Sequence, residues 1–486
     1  MTLTEPLVTP ASVSLDDTAA IARLHETVTL QRAAFRTEPY PTLDVRRERL
    51  QALAMMMVSN RQQIRDAMTA DFAVHPELFS DLVECLGVAG RAVYAAEQLE
   101  AWTADEERFT DPAFYGTGRA AIRMQPKGVI GNIVPWNFPF DLSAGPLVEM
   151  LAAGNRVVIK PSDYTPACAE LLRSMLAATF DRNLVDVAIG GIELAREFTT
   201  VRWDHLLYTG SPAIGREVAI AAARNLVPVT LELGGKCPAV VAPDSVDAQT
   251  VRSILGTKMI KNGQMCISVD YCLVPRDQVA TFVTLAQEWV ASAVPDYASS
   301  ADNTGIISSR HLDRMVGLLE EAEASGAQVI RLGGTEIDQT RRLMPLSLVV
   351  DPSGDLGVMQ EEIFGPILPI VPYDSLDEAL SRINDGERPL ALYAFAVDLA
   401  VGEQILRATT SGGACLNTCA SHAALPAMGF GGIGQSGSGR HHGIEGFREF
   451  SNPRGVFVQG TGSLTDAFFP PYDATTAAIV DAGFGG

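Results

Sequence analysis

Apolar positions from residue 44 onward first repeat with a helical period. Leu50, Leu53, Met57, Ile64 and Met68 share one face, with arginines and glutamines opposite, so the spacing predicts helix packed on that face. The Met55-Met56-Met57 run reads as core filling, and a second helical stretch is expected over 78–102. The texture then changes. Residues 108–127 carry Pro112, Gly116 and Gly118 and close on Ala121-Ile122-Arg123-Met124-Gln125, which reads as extended hairpin strands with no core face of their own. A projecting ribbon leaves unpaired edges that a second chain would cover. From 128 to 211 short apolar runs alternate with helical stretches. Strands are expected at 156–160, 185–189, 205–209 and 228–233, and helices at 166–180 and 214–225. That alternation predicts a parallel sheet with crossover helices. A second strand–helix series over 238–416 predicts a separate α/β unit. Residues 429–439 read as a glycine-rich loop, 455–459 as one more strand, and the first fifteen, with Pro6 and Pro10, as a loose lead-in. No solenoid repeat is present.

Composition narrows the class. A chain of 486 residues has room for two or three domains with large cores. Its 47% hydrophobic content is that of an ordered globular protein rather than a disordered one. The formal net charge of -21 repels phosphates, which argues against nucleic acid or an anionic membrane as partner. The seven cysteines are scattered, odd in number and without a metal-ligand spacing, so no metal is expected. Cys415 and Cys419 read as packing residues. The pattern fits a reducing compartment. With no signal peptide in 1–14 and no apolar run near the ~20 residues of a membrane helix, the expected location is cytoplasmic.

Against this background a few short segments carry chemistry. Cys266 lies in Asn262-Gly263-Gln264-Met265-Cys266-Ile267, and Glu232 in Leu231-Glu232-Leu233-Gly234-Gly235-Lys236. A thiol nucleophile and a carboxylate base, each in a glycine-bearing loop, are what oxidation of an aldehyde through a thioester requires. Taken bare, a cysteine is more often a small buried hydrophobe. Thr209-Gly210-Ser211-Pro212-Ala213-Ile214-Gly215 joins a strand to a helix whose N-terminus would favour a pyrophosphate, although two glycines at such a turn are more often plain structure. Asn137, in Pro135-Trp136-Asn137-Phe138-Pro139, offers an amide donor for a developing oxyanion, or else a loop Asn bonding its own backbone. Lys160-Pro161-Ser162-Asp163 ends a strand where ligands bind in open α/β folds, or else forms a surface ion pair. Glu361-Glu362-Ile363-Phe364-Gly365-Pro366 alone is an acidic turn. His441 and His442 read as structural.

Jointly, in their order and near their spacings, these segments resemble the aldehyde dehydrogenase superfamily from about residue 46 to 459. Gly431-Gly432-Ile433-Gly434-Gln435-Ser436-Gly437-Ser438-Gly439 before His442-Gly443, and Asp270-Tyr271 soon after the cysteine, resemble its class 3 branch. The N-terminal third is most similar to bacterial coniferyl aldehyde dehydrogenases. The resemblance implies an α/β fold: a Rossmann-like cofactor domain over 16–107 and 128–234, an α/β catalytic domain over 235–420, a β oligomerisation arm from 108–127 and 453–462, and a glycine-rich segment at 421–452 near the active site. It implies Cys266 as nucleophile, Glu232 as base, and Asn137 with the Cys266 backbone N–H as oxyanion hole. Contacts to NAD, or NADP, would come from Val134, Pro135, Trp136, Lys160, Ser162, Asp163, Gly210, Ser211, Gly215, Leu233, Gly234, Glu362 and Phe364. The partners implied are a small-molecule aldehyde and a second copy of the chain in a homodimer.

The chain departs from the family at places that bear on its ligands. Asp163 stands where Glu is common, and a carboxylate there favours NAD over NADP by repelling a 2′-phosphate. Met265 replaces a common Thr, His441 a common Tyr, and 425–432 is about three residues longer than usual. Phe138, Phe140, Met265 and Ile267 flank the catalytic residues and suggest an apolar tunnel for an aromatic or long-chain aldehyde. The Cys266 thiolate is expected to be favoured at neutral pH by nearby N–H donors or a helix terminus. Two competing readings are a CoA-acylating dehydrogenase, which would not need Glu232, and a catalytically silent protein on the same fold.

Overall fold

Two largely parallel sheets and one antiparallel ribbon carry the chain in a computed structural model that describes residues 17–485. The expected lead-in lies outside the described residues. The first sheet has six strands in the order Gly437–Ser438, Val229–Leu233, His205–Gly210, Val129–Ile133, Arg156–Lys160, Val185–Val187. All neighbours are parallel except the first pair. Arg156–Lys160 is buried along its whole length, as a strand covered by helices on both faces must be. Chain order reverses around Val129–Ile133, which places the 134–140 loop at the crevice where open α/β sheets bind ligands.

Gly234, Gly235, Lys236 and Cys237 carry the chain from Val229–Leu233 into the second sheet, which starts at Pro238–Val241. Its seven strands run Gln328–Leu332, Leu346–Val350, Ile367–Tyr373, Tyr271–Pro275, Pro238–Val241, Ala391–Phe395, Gly413–Leu416. Only the first pair is antiparallel. Tyr271–Pro275 runs parallel to Pro238–Val241, so the segment before it, which holds Cys266, lies beside the 234–237 link from the first sheet, with Cys237 Sγ 3.4 Å from the Cys266 carbonyl.

The ribbon pairs Glu106–Arg108, Arg119–Pro126 and Ser451–Val458 antiparallel, with Gly455 opposite Ile122. Within 108–127 the expected hairpin is interrupted by a short helix, Pro112–Tyr115, capped by Asp111.

Several local expectations need correction. The helix from residue 44 breaks at Asn60, whose side chain turns back to the Met56 carbonyl at 2.8 Å, giving Leu43–Ser59 and Arg61–Phe72. Its five apolar positions are fully buried, but Met55 is 69% exposed and fills no core. The second helical stretch contains a π-helix, Ser80–Gly87, before Val88–Thr103. The glycine-rich loop includes a short strand, Gly437–Ser438. Gly437 has φ of 139°, and a Cβ there would lie 2.0 Å from the Leu231 carbonyl, so only glycine can approach that edge.

Candidate active site

Cys266 follows a turn with three consecutive left-handed residues, Lys261 (φ 53°), Asn262 (φ 54°) and Gly263 (φ 77°). A side chain at Gly263 would meet the Gly365 carbonyl at 2.2 Å. Lys261 is held there by Glu84, 3.3 Å away, with both side chains fully buried. Its ammonium also lies over the rings of Phe72 and Phe138, at 4.6 and 4.7 Å. Glu84 sits in the π-helix and accepts from the backbone of Phe140 and Asp141 at 3.1 and 2.8 Å. One buried ion pair thus ties the cysteine turn to the Asn137 loop. Gln264 fixes the next residue, donating to Lys261 and Gly305 carbonyls and accepting from Ile307 N–H. Asn137, buried, donates through Nδ2 to the Gln264 carbonyl at 3.2 Å, two residues from Cys266.

Cys266 is only partly buried, while Cys237 and Cys272 have no exposure. Burial pushes the Cys266 thiol up to about 12, and Glu362 and Glu232 add to the rise. The amides of Cys266 and Ile267 pull the other way, but more weakly. Burial, with the two carboxyls adding to it, outweighs the N–H groups and favours the thiol over the expected resting thiolate.

Glu232 is the penultimate residue of the strand Val229–Leu233, opposite Gly437, and is 2% exposed. Neither carboxylate oxygen completes a hydrogen bond of ordinary geometry. Burial holds its pKa well above the ordinary carboxylate range. Glu449 adds to the rise, and Arg440 and the Gly432 amide only partly offset it. Glu362 lies against Gly234, where a Cβ would be 2.1 Å from its carboxylate. Burial, then Asp270, pushes Glu362 up to about 8. Arg314 donates to the Glu362 and Ile363 carbonyls and holds this turn in place.

At the crevice, Ser211 caps Pro212–Ala223 by accepting from Ile214 N–H, and Gly215 lets that helix close on Leu233, which a Cβ would meet at 2.7 Å. Gly210 and Leu233 end the neighbouring strands. Lys160, buried, donates to the Pro161 carbonyl at 2.9 Å, Ser162 accepts from Tyr164 N–H, and Asp163 is exposed beside them. Val134 N–H donates to the Lys160 carbonyl. Trp136, after Pro135, meets the Phe364 ring edge-on at 5.3 Å. A cavity of about 740 Å³ passes Pro212, Gly234, Glu362 and Arg388. A capped helix N-terminus, a buried lysine at a strand end and this cavity fit a dinucleotide. Among the described residues, no group of side chains could hold a metal.

Phe138, Met265 and Ile267 are buried with slight exposure, and Phe140 has none. The residue that follows Phe140 is charged. Asp141 pairs with Arg91, which also contacts His442. Sequence reading missed this cluster, along with the Glu84–Lys261 pair, the Lys236–Asp270 pair and Lys258, a buried amine without a partner that burial lowers to about 8. A Lys inside an apolar helical face was the only signal for Lys258. The others join residues far apart in sequence.

The aldehyde dehydrogenase family model matches residues 13–456. A probable coniferyl aldehyde dehydrogenase of Caulobacter vibrioides is 39% identical, over 92% of this chain and 94% of its own length. A dimeric, NADP-preferring aldehyde dehydrogenase of Canis lupus familiaris is 36% identical, over 90% and 95%. The crystal structure of a Mycobacterium tuberculosis aldehyde dehydrogenase complexed with NAD+ superposes with a TM-score of 0.80 at 28% identity, covering 90% of each chain.

Proposed function

The chain belongs to the aldehyde dehydrogenase family, and from that premise we propose that it oxidises an apolar aldehyde, of the aromatic coniferyl type or long-chain, to the acid through a thioester on Cys266. The observation that carries this reading is the convergence of the Cys266 thiol, the Asn137 amide and the buried, unpaired Glu232 at the facing ends of two sheets. Cys266 attacks the carbonyl carbon. Asn137 Nδ2 and the Cys266 N–H receive the oxygen as it gains charge. The bound nicotinamide, NAD in preference to NADP, accepts the hydride. Glu232 then takes a proton from the water that attacks the thioester, and its raised pKa makes it the stronger base once ionised.

Lys160, Ser162 and Asp163 would hold the adenosine ribose, Ser211 with its helix the pyrophosphate, and Glu362 with Phe364 the nicotinamide ribose. Val134, Pro135, Trp136, Gly210, Gly215, Leu233 and Gly234 complete the cradle. We assign 16–107 and 128–234 to cofactor binding, 235–420 to catalysis and 108–127 with 453–462 to dimerisation, the whole working in the cytoplasm. No described helix is long and apolar enough to cross a membrane. NADH absorbance across an aldehyde panel tests the reading. NADH should form without CoA, with cinnamaldehyde favoured over acetaldehyde by roughly ten- to a hundred-fold in kcat/KM. A requirement for CoA, or equal constants for the two aldehydes, would overturn it.

A further inference from the structure

Thr230 stands two residues before Glu232 on the same strand, so both side chains leave the same face, and both are buried. The Thr230 hydroxyl donates to Glu449 Oε1 at 2.5 Å and lies 2.7 Å from His205 Nε2. His205 Nδ1 is 2.9 Å from Lys127 Nζ. An ammonium only donates, so Nδ1 accepts and the ring proton sits on Nε2. Burial, with Lys127 beside it, lowers His205 to about 3 and keeps the ring neutral. The direction of the chain is thereby fixed: Lys127 donates to His205, His205 to Thr230, and Thr230 to Glu449.

Glu449 is the last residue of the short helix Gly443–Glu449. Its side chain keeps 28% exposure. Gly439, at φ 81°, leaves room for it, since a Cβ there would meet Glu449 Oε1 at 2.6 Å and Thr230 Cγ2 at 2.9 Å. Two residues earlier, Gly437 pairs with Glu232. One glycine strip thus passes over both carboxyls, and Glu449 lies near enough for its charge to act on Glu232, with Arg440 the cation facing Glu232.

We propose that Glu449 is the proton relay that returns Glu232 to its basic form, an inference that rests on Glu232 being the base. Thioester hydrolysis joins the water oxygen to the acyl carbon and breaks one O–H bond, whose proton goes to Glu232. The C–S bond then breaks and its electron pair returns to the Cys266 sulfur. Buried, with neither oxygen in a hydrogen bond of ordinary geometry, Glu232 passes its proton through a solvent molecule to Glu449. The exposed end of Glu449 releases it to bulk water. The Lys127–His205–Thr230 chain holds Glu449 in place by donating to one of its oxygens.

Glu449→Gln keeps an oxygen for Thr230 to donate to and removes the proton acceptor. Rapid mixing of the holoenzyme with aldehyde should give an NADH burst of wild-type rate and size. The turnover after the burst should be slower by about ten-fold or more. Millimolar imidazole buffer should restore that turnover in a concentration-dependent way while leaving wild type unchanged. Thr230→Val, nearly isosteric, should show a smaller loss with the same rescue, and serves if the first variant does not fold. Post-burst turnover equal to wild type in both variants, or a loss that buffer does not restore, would overturn the relay. Absence of a thioester in wild type would instead defeat the reading of Cys266 and Glu232, so the two failures are distinguishable.

Discussion

The Cys266 thiol is set first by burial and then by the Glu362 and Glu232 carboxyls near the sulfur, all of which raise its pKa. With the thiol pushed up to about 12, iodoacetamide should label Cys266 slowly in the free protein at pH 7. The rate should rise log-linearly through pH 9. A labelling plateau near pH 7, followed by intact mass, would contradict the geometry. Glu232 works only when ionised, and its pKa is raised, so the sign is plain: acyl-enzyme hydrolysis should fall as pH drops, with a midpoint well above the ordinary carboxylate value. In the sequence both residues stood out through the family resemblance, since a cysteine taken bare is more often a small buried hydrophobe. The thiol's resting state was not legible, because the burial that chiefly sets it, and the carboxyls that add to it from residue 362 and from a strand of the other sheet, exist only in the folded chain.

Among the elements, the π-helix Ser80–Gly87 shows what periodicity conceals. Its apolar spacing resembles an ordinary helix, yet the extra residue per turn accompanies the placing of Glu84 against Lys261. Glu84→Ala leaves a buried ammonium unpaired, which should cost about 3–5 kcal/mol in a denaturant titration and loosen the cysteine turn. A stability change near zero would mean that the pair does not hold that turn. At the carboxyl end of Arg156–Lys160, Asp163 is exposed next to Lys160. Asp163→Ser should raise kcat/KM for NADP relative to NAD by roughly ten-fold. An unmoved ratio would remove Asp163 from cofactor choice. Strands of the first sheet were readable as apolar runs between turns, and the second sheet only as an undivided strand–helix series over 238–416. The pairing of Gly437–Ser438 with Val229–Leu233 was not, since two residues in a glycine-rich stretch carry no period.

The whole molecule brings distant segments together in two ways. The ribbon ends in Ser451–Val458, whose outer edge pairs with no other strand among the described residues and where Phe457 and Val458 are 45% and 51% exposed. An apolar edge of this kind invites a second chain. Light scattering should give a dimer, and Phe457→Asp with Val458→Asp a monomer, whereas a monomeric wild type would refute that use of the ribbon. The alternation of strands and helices made the two α/β sheets legible. Their apposition, which puts Cys266 from one beside Glu232 from the other, came only from the resemblance. That apposition is the centre of the account, and rapid-mixing measurement of NADH and protein mass in Glu232→Gln tests it most directly. The account predicts a burst of about one NADH per site, then slow turnover, with the acyl mass retained on Cys266. Linear NADH formation at the wild-type rate, with no acyl group on Cys266, would contradict it.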